Sequence, residues 1–131
     1  MAVDDYTNLL ERSKRFLLSA ERDLNDKYVD IGIFSVNQSI DLFLKALLLK
    51  NAGDYSHSHD LKMQMRELAS VLPSEVRSKV DSILARNSLI LSVIQDSYIT
   101  ARYFYTSLSN EDLISIVETV KTIQSELLEC C

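Results

Sequence analysis

The sequence predicts an all-α domain, an antiparallel up-and-down bundle of four to five helices, on three observations. Apolar residues recur at steps of three and four through most of the chain, the spacing that lines one face of a helix. Two glycines and one proline in 131 residues are too few for a fold built from many turns. No Asn-Gly or Asp-Gly pair signals a tight hairpin. A chain of this length fits one domain and can bury a substantial core. No repeat, linker or low-complexity segment divides it, so residues 1–131 are read as one unit, with 128–131 expected as a frayed tail.

The first helix is expected from Asp4 to about Leu24, with Tyr6, Leu9, Leu10, Phe16, Leu17, Ala20 and Leu24 on its apolar stripe. Asp4 and Asp5 place negative charge at the positive helix start. The link Asn25-Asp26-Lys27 is so short that the next helix must fold back antiparallel. That second helix, Val29 to Leu49, is apolar on nearly every side, as expected of a buried central helix. It ends at Asn51-Ala52-Gly53, where glycine tolerates the left-handed conformation. A polar stretch, Asp54 to Asp60, leads to a short third helix, about Asp60 to Val71, which Pro73 stops. Ser74-Glu75 opens a fourth with capping chemistry at its start, and Asn87-Ser88 either bends or ends it before Leu89 to Tyr103. The last helix begins at Ser109, where Ser109 and Asp112 resemble a capping box, and carries Leu113, Ile116, Val117, Val120, Ile123 and Leu127 on one stripe.

The charge balance narrows the partners. The net charge is −5, and the basic residues are dispersed among acids, so general duplex DNA binding is not expected. Asp41 and Lys45 interrupt the longest apolar stretch, so neither a transmembrane helix nor membrane association is expected. The opening MAVDDYTNLLERSKR lacks the basic-then-apolar order of a signal peptide, which leaves a cytoplasmic location as the expectation. The two cysteines, Cys130 and Cys131, are adjacent and poorly placed to bridge each other. No metal site and no cofactor are expected.

Two constellations carry polar chemistry. Gln38, Asp41 and Lys45 recur at steps of three and four on the otherwise apolar second helix, so they share a face. Desolvating a charge is costly unless it is paired, and Asp41 and Lys45 can pair with each other. A structural ion pair and a functional polar site both remain open. The second constellation is Tyr98-Ile99-Thr100-Ala101-Arg102-Tyr103-Phe104-Tyr105, a planar cation among stacking rings. It suits a nucleotide's phosphate and base, and it equally suits an aromatic-rich interface between subunits. His57 and His59 are the only histidines and do not share a helical face. His59 is expected to fix the loop to the following helix, and Asp60 to stabilise that helix's start.

In their order and spacing these pieces resemble the HEPN domain family. Ser35 to Leu48, with Gln38 and Asp41 preceding Lys45-Ala46, is similar to the family's second-helix signature, with Asp41 where Glu is commoner. His59-Asp60-Leu61 resembles its His-Asp-Leu helix start, and Tyr98 to Tyr103 its late Tyr-x-x-x-Arg-Tyr motif. The resemblance implies a helical bundle that forms a homodimer and often pairs with a minimal nucleotidyltransferase in a toxin–antitoxin system. It implies a nucleotide or RNA as possible ligand, with Gln38, Asp41, Lys45, Arg102 and Tyr103 lining the groove and His59, Asp60 and Tyr98 supporting it. Nuclease members carry an arginine followed after four to six residues by a histidine. Here Ser107, Leu108 and Ser109 follow Arg102 at the corresponding distances, so no imidazole is at hand to exchange a proton near neutral pH. The expectation is therefore a binding module rather than an enzyme, with a diverged ribonuclease or a purely structural dimer as alternatives.

Overall fold

The computed structural model describes the backbone of residues 2–103 and 107–131 and the side chains of residues 5–99 and 107–131. Among the described residues the chain forms six helices and no strand. They are α1 (Ala2–Asn25), α2 (Val29–Ala52), α3 (Leu61–Ser70), α4 (Ser74–Arg86), α5 (Ser88–Tyr103) and α6 (Asn110–Cys130). The expected fourth segment is two helices: Asn87 breaks it, and its side-chain amide donates to the Ile83 carbonyl at 2.8 Å beside its own backbone N–H, which reaches the same carbonyl at 3.2 Å.

The α1–α2 hairpin is the most extensively packed pair in the fold. Its corner depends on Lys27, which adopts the left-handed conformation at φ 62°. The Lys27 N–H then reaches Leu24 O at 3.1 Å, and the Tyr28 N–H reaches Asp23 O at 2.7 Å. These are the two bonds of a Schellman motif, normally made around glycine. Farther along the seam, Ser13 and Ser39 bond reciprocally: each Oγ donates to the other's backbone carbonyl, at 2.7 and 2.8 Å. Gln124 Nε2 of α6 adds a bond to Ser39 Oγ at 3.1 Å, so the buried serines knit three helices. Gly32 lets α6 approach α2, since a Cβ there would lie 2.6 Å from Leu113 Cδ2.

α2 is the central element. Ile33, Val36, Ile40, Leu44 and Leu47 are fully buried, and α1, α3, α5 and α6 all pack on it. By length and hydropathy α2 could cross a membrane, and the Asp41–Lys45 interruption is too slight to exclude that from sequence. What accounts for its apolar character is burial: 78% of its most apolar window lies inside the bundle.

Two expected details differ. α4 starts on Pro73 without a side-chain cap, so Ser74 does not serve that role. The corner is held instead by Arg77, whose Nε donates to Ala69 O at 3.0 Å and whose Nη2 donates to Leu72 O at 3.1 Å, satisfying carbonyls at the end of α3. The expected frayed tail at 128–131 is corrected as well. α6 runs to Cys130, Cys131 is buried against the core, and Asn51 Nδ2 donates to its carbonyl at 3.1 Å. The sulfurs of Cys130 and Cys131 lie against each other, a pairing that adjacency in sequence argued against. The capping box that opens α6 is present in full: Asp112 N donates to Ser109 Oγ at 3.1 Å, and Ser109 N to Asp112 Oδ2 at 2.9 Å.

Candidate functional site

The polar face of α2 meets the loop that precedes α3. Lys45 and Asp41 stand one helical turn apart, and Lys45 Nζ donates to Asp41 Oδ1 at 2.6 Å. Both side chains are more than nine-tenths buried. A buried ion pair is tolerated when its remaining valences are also satisfied, and the loop supplies them. Lys45 Nζ donates a second bond to Ser58 O at 3.1 Å. Gln64, fully buried on α3, donates from Nε2 to Asp41 Oδ1 and to Ser58 O, both at 2.8 Å. Asp41, Lys45, Gln64 and the Ser58 carbonyl thus form one closed cluster that ties the loop and α3 to α2. Its open valence is Gln64 Oε1, which is buried without a donor.

The loop is ordered from within as well. Ser58 N donates to Ser56 Oγ and Asp60 N to Ser58 Oγ, each at 3.0 Å. Asp60 caps α3 by accepting from Met63 N at 3.0 Å, the role its position predicts. Leu61 N, the next free donor at the helix start, bonds Gln95 Oε1 of α5 at 2.9 Å. His59 is mostly exposed, with Nδ1 3.7 Å from Asp41 Oδ2. That is beyond hydrogen-bond length, so it is the Ser58 carbonyl, rather than the imidazole, that secures the loop.

Tyr98 stacks on Phe34, with ring centroids 5.3 Å apart and planes inclined by 21°. Phe34 precedes Gln38 by one turn on α2, and Gln38 itself is half-buried. Gln95 beside the start of α3 and Tyr98 on Phe34 show that α5 runs opposite to α2. The backbone position of residue 102 therefore falls one turn beyond Tyr98, away from Lys45. The side chains of Arg102 and Tyr103 lie outside the described residues. The structure thus brings Asp41, Lys45, His59 and Asp60 into one neighbourhood and sets Tyr98 beside the other end of the same face.

Sequence reasoning missed Gln64, Gln95 and Ser58. A signal for Gln64 was available: it follows Leu61 by three residues and precedes Leu68 by four, so a polar residue sits on the inward face of α3. Nothing in the residue types marked Ser58 as a partner of Lys45 and Gln64, because it meets them through its backbone carbonyl. Among the described residues no group of three His, Cys, Asp or Glu side chains is placed to hold a metal ion. Elsewhere, Arg86 and Glu126 pair across α4 and α6 at 2.7 Å, and the hydrogen bond from Arg86 holds the Glu126 carboxyl below its ordinary range.

The family model of the HEPN domain matches residues 6–130, nearly the whole chain. No curated protein matches it.

Proposed function

The chain belongs to the HEPN domain family, and from that premise we propose that it is a non-catalytic binding module, a homodimer that serves as helical partner to a minimal nucleotidyltransferase in a toxin–antitoxin-like pair. The observation that carries this reading is the outer side of α5. Leu89 is 80% exposed and Ile99 58% exposed, although each could have been polar at no cost to the core. Next to Leu89, the residues Ile90, Val93 and Ile116 line a groove of about 520 Å³ rimmed by Arg86 and Asp112. Apolar surface framed by polar residues is the usual mark of a protein–protein contact. The Asp41–Lys45–Gln64 cluster supports a binding role rather than catalysis, because its charged groups are already committed to one another and to the loop.

Light scattering after size exclusion, with co-purification of a minimal nucleotidyltransferase encoded beside this chain, tests the proposal. A dimer that Leu89→Glu and Ile99→Glu dissociate, or a partner complex that they abolish, supports it. A wild-type monomer that captures no such partner overturns it.

A nucleotide-binding reading is favoured by the Phe34–Tyr98 stack, which sets an aromatic surface one turn from Gln38. In this reading Arg102 meets phosphate, Tyr103 stacks on the base, Gln38 adds a hydrogen bond, and Asp41 and Lys45 hold the adjoining loop. Calorimetric titration with ATP, GTP and short RNAs tests it. Heat that Arg102→Ala abolishes supports the reading, and the absence of heat with all of them ends it.

A further inference from the structure

Cys130 and Cys131 are the only cysteines of the chain, and the fold sets their sulfurs in contact. A disulfide stabilises a protein chiefly by closing a loop of the unfolded chain. This pair spans a single peptide bond, so it closes no loop and ties no two helices together. Cross-linking therefore gives no account of it.

The two sulfurs differ in access. Cys131 is buried with the hydrophobic core, where Asn51 Nδ2 donates to its carbonyl and its own N–H reaches Leu127 O at 2.9 Å. The same Asn51 amide donates to Leu47 O at 2.8 Å, so the end of α2 fixes the position. Cys130 is half-buried and lines a groove of about 560 Å³ between α4 and α6. That volume falls within the range of small-molecule sites, roughly 300–1,000 Å³. Cys130 Sγ also lies 3.7 Å from Leu127 O, an acceptor for its S–H when the pair is reduced. An accessible cysteine beside a buried one that can resolve it is the arrangement of redox-responsive thiols. The groove adds charge of both signs. Lys79 of α4 and Glu129 of α6 stand on its two walls, and the Arg86–Glu126 pair bridges them.

We propose that Cys130 and Cys131 form a thiol–disulfide exchange site for a small peptide disulfide of the glutathione class, seated in this groove with a carboxylate at Lys79 and an ammonium at Glu129. The Cys130 thiolate attacks one sulfur of the bound disulfide. A bond from Cys130 to that sulfur forms, the ligand's S–S bond breaks, and one ligand thiolate leaves and takes up a proton. The Cys131 thiolate then attacks the Cys130 sulfur, forming the Cys130–Cys131 bond and releasing the second ligand thiol. Two protein thiols are oxidised and one ligand disulfide is reduced to two thiols. Excess ligand thiol runs the same steps backwards. The carbonyl end of α6 disfavours a thiolate, the reverse of a cysteine at a helix N-terminus, and this weights the equilibrium toward the bonded pair.

The site rests on neither functional reading above, and its test needs no partner or nucleotide. The full chain is reduced and equilibrated in graded mixtures of reduced and oxidised glutathione. Its thiols are then trapped with N-ethylmaleimide and counted by intact mass. The expected result is one transition from two labelled thiols to none, at the same glutathione poise at every protein concentration. Cys131→Ala should stop at a glutathione mixed disulfide on Cys130. In Cys130→Ala the buried Cys131 should react at least about tenfold more slowly than Cys130 does. Oxidised glutathione should gain about threefold in rate over neutral hydroxyethyl disulfide, each normalised to a free model thiol, and Lys79→Ala/Glu129→Ala should erase that gain. Two thiols still labelled in oxidised glutathione, a disulfide-linked dimer as the oxidised product, equal reactivity of the two cysteines, or no gain over hydroxyethyl disulfide overturns the proposal.

Discussion

Lys45→Met keeps most of the side chain's volume and removes its charge. The side chains of Asp41 and Lys45 are only 6% and 9% exposed, so solvent cannot replace the lost ammonium. Asp41 keeps one donor, Gln64 Nε2, and Ser58 O likewise keeps only the Gln64 bond. Breaking a buried pair from one side costs about 3–5 kcal/mol, because the surviving charge is stranded. The loss falls near the lower end of that range here, since the Gln64 bond to Asp41 survives. Replacing both members, Asp41→Leu with Lys45→Met, removes the stranded charge, and buried pairs exchanged for apolar residues are often neutral or better. The double variant should therefore lie within about 1 kcal/mol of wild type, far from the sum of the single changes. Urea unfolding of the four proteins in a double-mutant cycle measures this coupling. A Lys45→Met cost below about 1 kcal/mol, typical of a solvated pair, or strict additivity of the two changes, would refute the reasoning.

Three further outcomes follow from the same geometry. Lys27→Gly should stabilise the fold by about 0.5–1 kcal/mol, since a left-handed corner strains any side chain that bears a Cβ; a midpoint that fails to rise in urea contradicts this. Gly32→Ala should destabilise by about 1 kcal/mol: the new methyl would meet Leu113 at 2.6 Å, and overpacking outweighs the helix propensity gained. Pairing it with Leu113→Val should prove non-additive, the smaller side chain relieving the clash. Asp23→Asn concerns pH. Burial first, then the charges of Asp26 and Asp30, raise the Asp23 carboxyl above its ordinary value of 3.8. Between that value and the raised one the folded state binds more protons than the unfolded, so this group's contribution to stability falls as pH rises through the window. The asparagine variant should consequently melt higher than wild type at pH 7, and the advantage should vanish below about pH 3.8. Thermal melts across that range check the sign.

The sequence by itself determined the helical class, the hairpin of the first two helices and most boundaries, because these are local matters. The apolar spacing of α1 and α6 is visible without any partner, Gly53 accepts the left-handed φ of 78° that closes α2, and Ser109 with Asp112 carries its cap within four residues. It also identified Asp41 and Lys45 as neighbours on one face, since a single helical turn dictates that. Only the tertiary structure decided what surrounds them. Their partners Ser58 and Gln64 arrive from a loop and another helix, and a backbone carbonyl leaves no trace in residue type. The same holds for the tail at Cys131, which the Asn51 amide, from a residue 80 positions earlier, keeps folded against the core. Helical periodicity records which side of a segment is buried. It holds no record of which distant segment covers that side, and that choice set the Asp41–Lys45 cluster inside the bundle and brought Cys130 to the groove beside α4.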